Sequence, residues 1–289
     1  MKQRFFSPIW WQYCLPQHYL SKIMGYAANC QWPWLKQAMI DRFILRFGVD
    51  MQQALYSDPK AYAHFNAFFT RALKPALRPI ATAPNALVSP CDGTISAMGT
   101  IEQTQLLQAK GQTYTLPNLL GYPESHLQVQ RYRHGTFCTV YLAPKDYHRI
   151  HMPYHASIVG MRYIPGRLFS VNQQTTQHLP ALFTKNERLI LFCESQAGPF
   201  IMILVGAMLV SGLYTLWGGK IQAKRGAIQD YNYPNTPTQH LTFNKGEYCA
   251  HFNLGSTIIL LFPKHKIQWQ DHLTTGQPLQ MGEAIGVMQ

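Results

Sequence analysis

The chain has 289 residues, of which 47% are hydrophobic and only 13% charged. That much apolar material buries a large core and excludes a disordered chain, while 20 Gly and 19 Pro spread without a period exclude collagen-like or low-complexity organisation. Against 13 Asp and Glu stand 25 Lys and Arg, a formal net charge of +12. The surplus reflects scarce acids more than basic runs, so it suits an anionic membrane surface better than nucleic acid.

Cys14, Cys30, Cys91, Cys138, Cys193 and Cys249 are widely and irregularly spaced, with no C-x-x-C pair. They read as buried thiols in a reducing compartment. Lys2 and Arg4 precede Phe5 to Leu15, but Pro8 interrupts that stretch and no small-residue cleavage site follows, so no signal peptide is expected.

Residues 1–80 are expected to be a helical, membrane-associating region. Leu35, Met39, Phe43 and Phe47 recur every four residues, with Ile40 and Ile44 beside them and Gly48 as the stop. Asp58-Pro59 is a helix-start signal, predicting a segment through Tyr62, Phe65, Phe68, Phe69 and Leu73 that Pro75 ends. Phe5, Phe6, Trp10, Trp11, Tyr13, Trp32 and Trp34 mix with Lys22 and Lys36, a composition suited to the headgroup layer of a bilayer or to a helical cap on the next domain.

Residues 81–289 read as a β-rich catalytic domain. Phe137–Leu142, Arg188–Phe192 and Ser256–Phe262 are strands by their β-branched and aromatic content. Pro199–Trp217 carries no charge and nearly reaches membrane-span length, yet its β-branched residues, Gly206, Ser211 and Gly212 predict two buried strands. The expected fold class is α+β, with N-terminal membrane-facing helices packed on a mainly antiparallel β core.

Three segments carry chemistry. In Ser89-Pro-Cys-Asp-Gly-Thr94, Asp92 sits on a tight turn, where a carboxylate either orients a histidine or accepts its own turn amides. His148, His151 and His155 give H-x-x-H-x-x-x-H. Pro153 interrupts any helix there and no thiolate is near, so acid–base groups are expected rather than a metal site. Ser256 follows Gly255 at the start of a strand, outside any G-x-S-x-G elbow.

In combination and in order, these segments resemble the phosphatidylserine decarboxylase family, the pyruvoyl-dependent lipid enzymes. The resemblance runs through Leu15-Pro16, Phe65-Asn-Ala-Phe-Phe-Thr-Arg-Ala-Leu-Lys74, Arg78-Pro79-Ile80, Cys91–Thr94 and Tyr147–Pro153. It continues through Pro165-Gly-Arg-Leu-Phe-Ser-Val-Asn172, Asn186-Glu-Arg188, Ile203–Ala207 and Leu254-Gly-Ser-Thr257.

That resemblance implies a proenzyme that cuts itself between Gly255 and Ser256 into a β chain (1–255) and an α chain (256–289). Asp92, His151 and Ser256 match the self-cleavage triad, and Ser256 becomes a covalent pyruvoyl group. A Schiff base between that group and the lipid amine then carries phosphatidylserine to phosphatidylethanolamine and CO2, with His148 as general acid and His155 as an additional titratable group nearby. Arg167, Ser170 and Asn172 are implied headgroup contacts, and Arg167 stands where relatives often carry an acid. The implied partners are phosphatidylserine, an anionic membrane surface, and the two chains as a heterodimer open to further homo-oligomer formation. The implied location is the cytoplasmic side of a bacterial inner membrane, peripherally bound. Two other readings stay open: an uncut hydrolase using Asp92, His151 and Ser256, and a non-catalytic protein that binds anionic lipid.

Overall fold

The structure is a computed structural model that describes residues 9–109, 111–208, 212–221, 226–233, 241–253 and 256–289. Phe5, Phe6, Ser211, Leu254 and Gly255 therefore lie outside the described residues.

Among the described residues, nine strands form the central sheet, and every pairing in it is antiparallel. Its middle runs Arg188–Ser195, Gly198–Val205, Ser256–Phe262, Thr136–Leu142, Gly93–Thr100. Ser256–Phe262 is buried at every position. Successive side chains of a strand point to opposite faces, and here both faces are covered. Ile258, Leu260 and Phe262 enter one core with Cys138, Val140 and Met202; Ile259 and Leu261 enter the other with Ile201, Ile203 and Phe137. This two-sided burial explains the uninterrupted apolar run. It also explains Pro199–Trp217, whose described residues provide the Gly198–Val205 strand and the Leu213–Thr215 strand of a second sheet.

That second sheet has four strands, ordered Gly219–Lys220, Leu213–Thr215, Tyr248–Phe252, Arg149–His151. Its Tyr248–Phe252 strand pairs with Arg149–His151 and precedes Ser256 by only a few residues in the chain.

The N-terminal region comprises α1 (Trp11–Cys14), α2 (Gln17–Ala28), α3 (Pro33–Phe47) and α4 (Phe65–Phe69). Pro33 opens α3, and Gly48 closes it in the left-handed conformation with φ 66°. The helix expected from Asp58 onward is instead two pieces. Asp58 caps a single 3-10 turn, Pro59–Ala61, and a second start follows at His64, whose ring accepts the Ala67 N–H. Between them Lys36 Nζ binds the carbonyls of Lys60 and Tyr62, which a continuous helix would have used internally. Tyr62, Phe65, Phe68 and Phe69 still bury together with Ile40, and the Phe43 ring meets Phe65, Phe68 and Phe69 edge-on.

Polar contacts anchor α1 and α2 on the β domain, beside a ring contact between Tyr13 and Phe169. Buried Gln12 accepts the Ser170 N–H at 2.9 Å and donates to Thr175 Oγ1, while buried Gln17 accepts the Leu168 N–H at 2.9 Å. No described helix is long and apolar enough to cross a membrane.

Candidate active site

Ser256 opens its strand opposite Leu142, the last residue of the neighbouring strand. The chain beyond Leu142 turns at once, closed by Asp146, whose Oδ2 accepts the Ala143 N–H at 2.7 Å. That turn sets His148. Its Nδ1 faces the Asp146 carbonyl at 2.8 Å, its ring lies 4.2 Å from the Phe69 ring, and Nε2 has no hydrogen-bond partner. Because a carbonyl only accepts, Nδ1 carries the proton and Nε2 the lone pair. His148 is fully buried, which pulls its pKa down to about 3; the Asp146 carbonyl opposes this and the Arg71 charge adds to it.

Arg71 is itself buried and stretches to the Lys145 carbonyl through Nη2 at 3.2 Å, with Nε and Nη1 unpartnered. Ser256 Oγ is buried and unpartnered as well. Orphaned buried polar atoms are costly, and Ser256 Oγ, His148 Nε2 and Arg71 Nε and Nη1 are among those the fold leaves without a partner.

His151 ends its short strand beside Tyr248. Its Nδ1 faces the Gly246 carbonyl at 2.8 Å and its Nε2 meets the Tyr147 hydroxyl at 3.0 Å. Nδ1 therefore donates to Gly246, and Nε2 accepts from Tyr147. Burial lowers the His151 pKa; the bond to Gly246 and the Asp92 charge work against that, and Arg149 works with it.

Asp92 lies near this histidine without sharing a hydrogen bond with it. Arg78 Nε donates to both carboxylate oxygens, at 2.8 and 3.1 Å; Arg78 Nη2 adds a third contact, and the Met281 N–H donates to Oδ1 at 2.8 Å. The carboxylate–histidine hydrogen bond expected from the triad pattern is thus replaced by a backbone carbonyl on the histidine and a guanidinium on the carboxylate.

His155 is exposed and contacts Asn244 Oδ1 at 3.2 Å, so it shares neither the burial nor the environment of His148. Asn172 caps the Gln173–His178 helix through the Thr175 N–H, and Ser170 Oγ accepts the Asn172 N–H. Both side chains hold the loop together. Arg167 is exposed and lines a pocket of ≈ 560 Å³ with Tyr13, His18, Gly166, Phe169 and Lys185.

Phe69, Arg71, Tyr147, Gly246 and Met281 were not singled out as site residues from the sequence. Phe69 and Arg71 read as part of an aromatic helix, and Gly246 and Met281 contribute only backbone atoms, which leave no mark in a side-chain pattern.

Buried neutral histidines make the fold acid-sensitive. His148, pulled to about 3, and His251, pulled to about 4 by burial, bind fewer protons folded than unfolded once the pH drops below the ordinary value of 6.5. Stability is then lost progressively between pH 6.5 and those lowered values, by about 1 kcal/mol per pH unit for each group. The thermal midpoint is expected to fall between pH 7.5 and 5.5, and His148→Gln to flatten that dependence. An equal slope in the variant would show that His148 is not buried and neutral.

A family model described as phosphatidylserine decarboxylase matches residues 65–287, and a second, described as PSD, matches residues 8–48. The chain is 43% identical over 286 residues to a phosphatidylserine decarboxylase proenzyme of Stutzerimonas stutzeri, covering 99% of this chain and 95% of that one. It is 42% identical to the proenzyme of the same name from Azotobacter vinelandii, covering 99% of both. The Pseudomonas aeruginosa (strain LESB58) proenzyme is 42% identical over 276 residues, 96% of this chain and 95% of its own. With the match spanning both the helical region and the β domain that carries Ser256, the chain belongs to the phosphatidylserine decarboxylase family.

Proposed function

We propose that the chain decarboxylates phosphatidylserine to phosphatidylethanolamine and CO2, after cutting itself between Gly255 and Ser256 into chains spanning 1–255 and 256–289. Relatives named as proenzymes over nearly the full length support the cut. The observation that carries the reading is that Ser256 Oγ, at the start of its strand opposite Leu142, and His148 Nε2, on the turn that follows Leu142, are both buried and both without a partner.

In maturation, His151 Nε2 takes the Ser256 hydroxyl proton as the Tyr147 hydroxyl gives way. The freed oxygen attacks the Gly255 carbonyl carbon and the C–N bond breaks, leaving an ester. Elimination across Cα–Cβ releases the Gly255 carboxylate, and water then displaces the nitrogen as ammonia. The site fits the resulting pyruvoyl group, because the Ser256 hydroxyl holds no hydrogen bond that its removal would break. When formed, that group supplies the electron sink that ordinary side chains lack for a carbanion at Cα.

The chain's own residues do the rest. His148 Nε2 takes up the proton that the lipid amine sheds on binding and returns one to the substrate Cα as CO2 leaves. Nδ1, anchored on Asp146, keeps the ring aimed, and Phe69 shields it from water. Arg167, in its open pocket with Lys185 and His18, is placed to meet a lipid phosphate, whereas Ser170 and Asn172 act by shaping that loop. Trp10, Tyr19, Tyr26, Trp32, Trp34 and Leu45 are exposed on the N-terminal region, an amphipathic surface suited to the bilayer interface. This supports peripheral attachment to a membrane, which we place at the cytoplasmic side of the inner membrane.

Intact mass under denaturing conditions, with CO2 release from phosphatidylserine vesicles, tests the proposal. Two chains are expected, the smaller lighter by one ammonia than a peptide beginning with serine. A single chain that hydrolyses esters would instead establish the hydrolase reading. A single chain that only binds anionic vesicles would establish the lipid-binding one.

A further inference from the structure

Neither member of the proposed acid–base pair is held by the other, which raises the question of what holds them. The answer lies in one extended segment at the end of the N-terminal region. Arg78 grips the Asp92 carboxylate through Nε and Nη2, with Nη1 on the Leu77 carbonyl and Nη2 also donating to Gln53 Oε1 at 2.9 Å. Two residues on, Ile80 packs into two turns at once. A Cβ on Gly246 would lie 2.7 Å from Ile80 Cδ1, and a Cβ on Gly282 would also lie 2.7 Å from it. Gly246, at φ +79°, is the residue whose carbonyl receives His151 Nδ1–H, and Gly282 adjoins Met281, whose N–H holds Asp92. The Ala81 N–H closes the arrangement on the Gly282 carbonyl at 2.9 Å.

We propose that Arg78–Ile80 is the positioning brace of the maturation site, Arg78 fixing the Asp92 carboxylate and Ile80 seating the Gly246 and Gly282 turns that hold His151 and Asp92. The inference rests on the self-cleavage reading above. It assigns to Arg78 an electrostatic task as well as a geometric one. By pairing with Asp92, Arg78 limits how strongly that carboxylate stabilises a proton on His151, so the imidazole stays an available base. The other groups facing His151 are the Tyr147 hydroxyl, the Tyr248 ring, Arg149 (stacked on Tyr248) and the Gly246 carbonyl. Of these, Tyr147 also feels the Arg78 charge directly. Through Gln53, which lies between α3 and α4, the brace also ties the cleavage site to the N-terminal region.

The test follows self-cleavage of freshly synthesised full-length chain by intact mass, from pH 5 to 9, for wild type, Arg78→Lys and Arg78→Met. Arg78→Met is expected to cut at least about 10-fold more slowly at neutral pH, with the acid limb of its rate–pH profile moved upward. Arg78→Lys is expected to fall between the two, because it keeps the charge and loses the two-pronged grip. Arg78→Met cutting at the wild-type rate would overturn the brace, and so would slower cutting with an unmoved pH profile, which loss of folded chain alone produces. A wild-type chain that stays whole at every pH would overturn the maturation reading itself, and the brace with it; a wild type that cuts normally confines any failure to the brace.

Discussion

Replacing Ser256 by alanine is expected to leave a single 33.1 kDa chain with no decarboxylase activity, where wild type shows two chains. The hydroxyl oxygen is the attacking atom in the proposed cut and the source of the group that follows, so no neighbouring side chain substitutes for it. Removing the nucleophile of such a constellation slows the reaction by about 10⁴-fold or more, which for a single-turnover cut means no product on a laboratory time scale. The folded state should hardly notice. Ser256 Oγ has no hydrogen-bond partner in a fully buried strand, so its loss removes an unsatisfied polar atom and shifts stability by less than about 1 kcal/mol, towards greater stability if at all. Intact mass and a thermal melt on the same sample read both effects. An Ser256→Ala chain that is still cut would remove this serine from the mechanism.

His148→Gln separates the two stages. It is expected to mature normally, because His151 and not His148 is the proposed base for the cut, and then to release CO2 about 10²- to 10⁴-fold more slowly. Glutamine retains a donor for the Asp146 carbonyl and most of the volume under Phe69, so the turn at 143–148 should keep its shape. In the closed site the His148 pKa of about 3 leaves Nε2 unprotonated at neutral pH. An anionic headgroup arriving beside it, and the water that comes with it, both favour the protonated ring and prepare it to give a proton back. If His148→Gln stays uncut, the residue belongs to maturation. If it matures and turns over fully, the acid lies elsewhere, and exposed His155 is the next group to replace.

The two expectations share a physical basis. Both residues are buried with an idle polar atom, an arrangement folding does not select for; Ser256 opens its strand, and His148 lies on the turn just before Arg149–His151. The Ser256 strand supplies the rigidity on its side: Ser256–Phe262 is held on both sides, by Thr136–Leu142 and by Gly198–Val205. A reacting atom at the end of such a strand moves little during catalysis, which is what preorganisation requires.

Much of this is legible in the amino-acid sequence. The apolar runs at Ser256–Phe262 and within Pro199–Trp217 announced strands buried on both faces, because alternation disappears when neither face meets water. The four-residue recurrence from Leu35 to Phe47 with Gly48 behind it announced α3, because side-chain period and C-cap are local properties. Asp92, His148, His151 and Ser256 stand out through the family resemblance that their segments carry in combination and in order. The break between Pro59–Ala61 and α4 is not legible there, since it depends on Lys36, more than twenty residues earlier, drawing carbonyls away from a helix that local signals favoured.

What only the tertiary structure decided is which groups partner one another. Asp92 finds Arg78 14 residues away and the Met281 N–H 189 residues away, while His151 finds the Gly246 carbonyl 95 residues away. Two of these three partners are backbone atoms, identical in every residue, so no reading of side chains could nominate them. The sequence determined which residues are chemically capable, because that is a property of each side chain. The fold decided which of them is charged, which is neutral and which atom faces the reaction, because those depend on burial and on hydrogen bonds made across the whole chain.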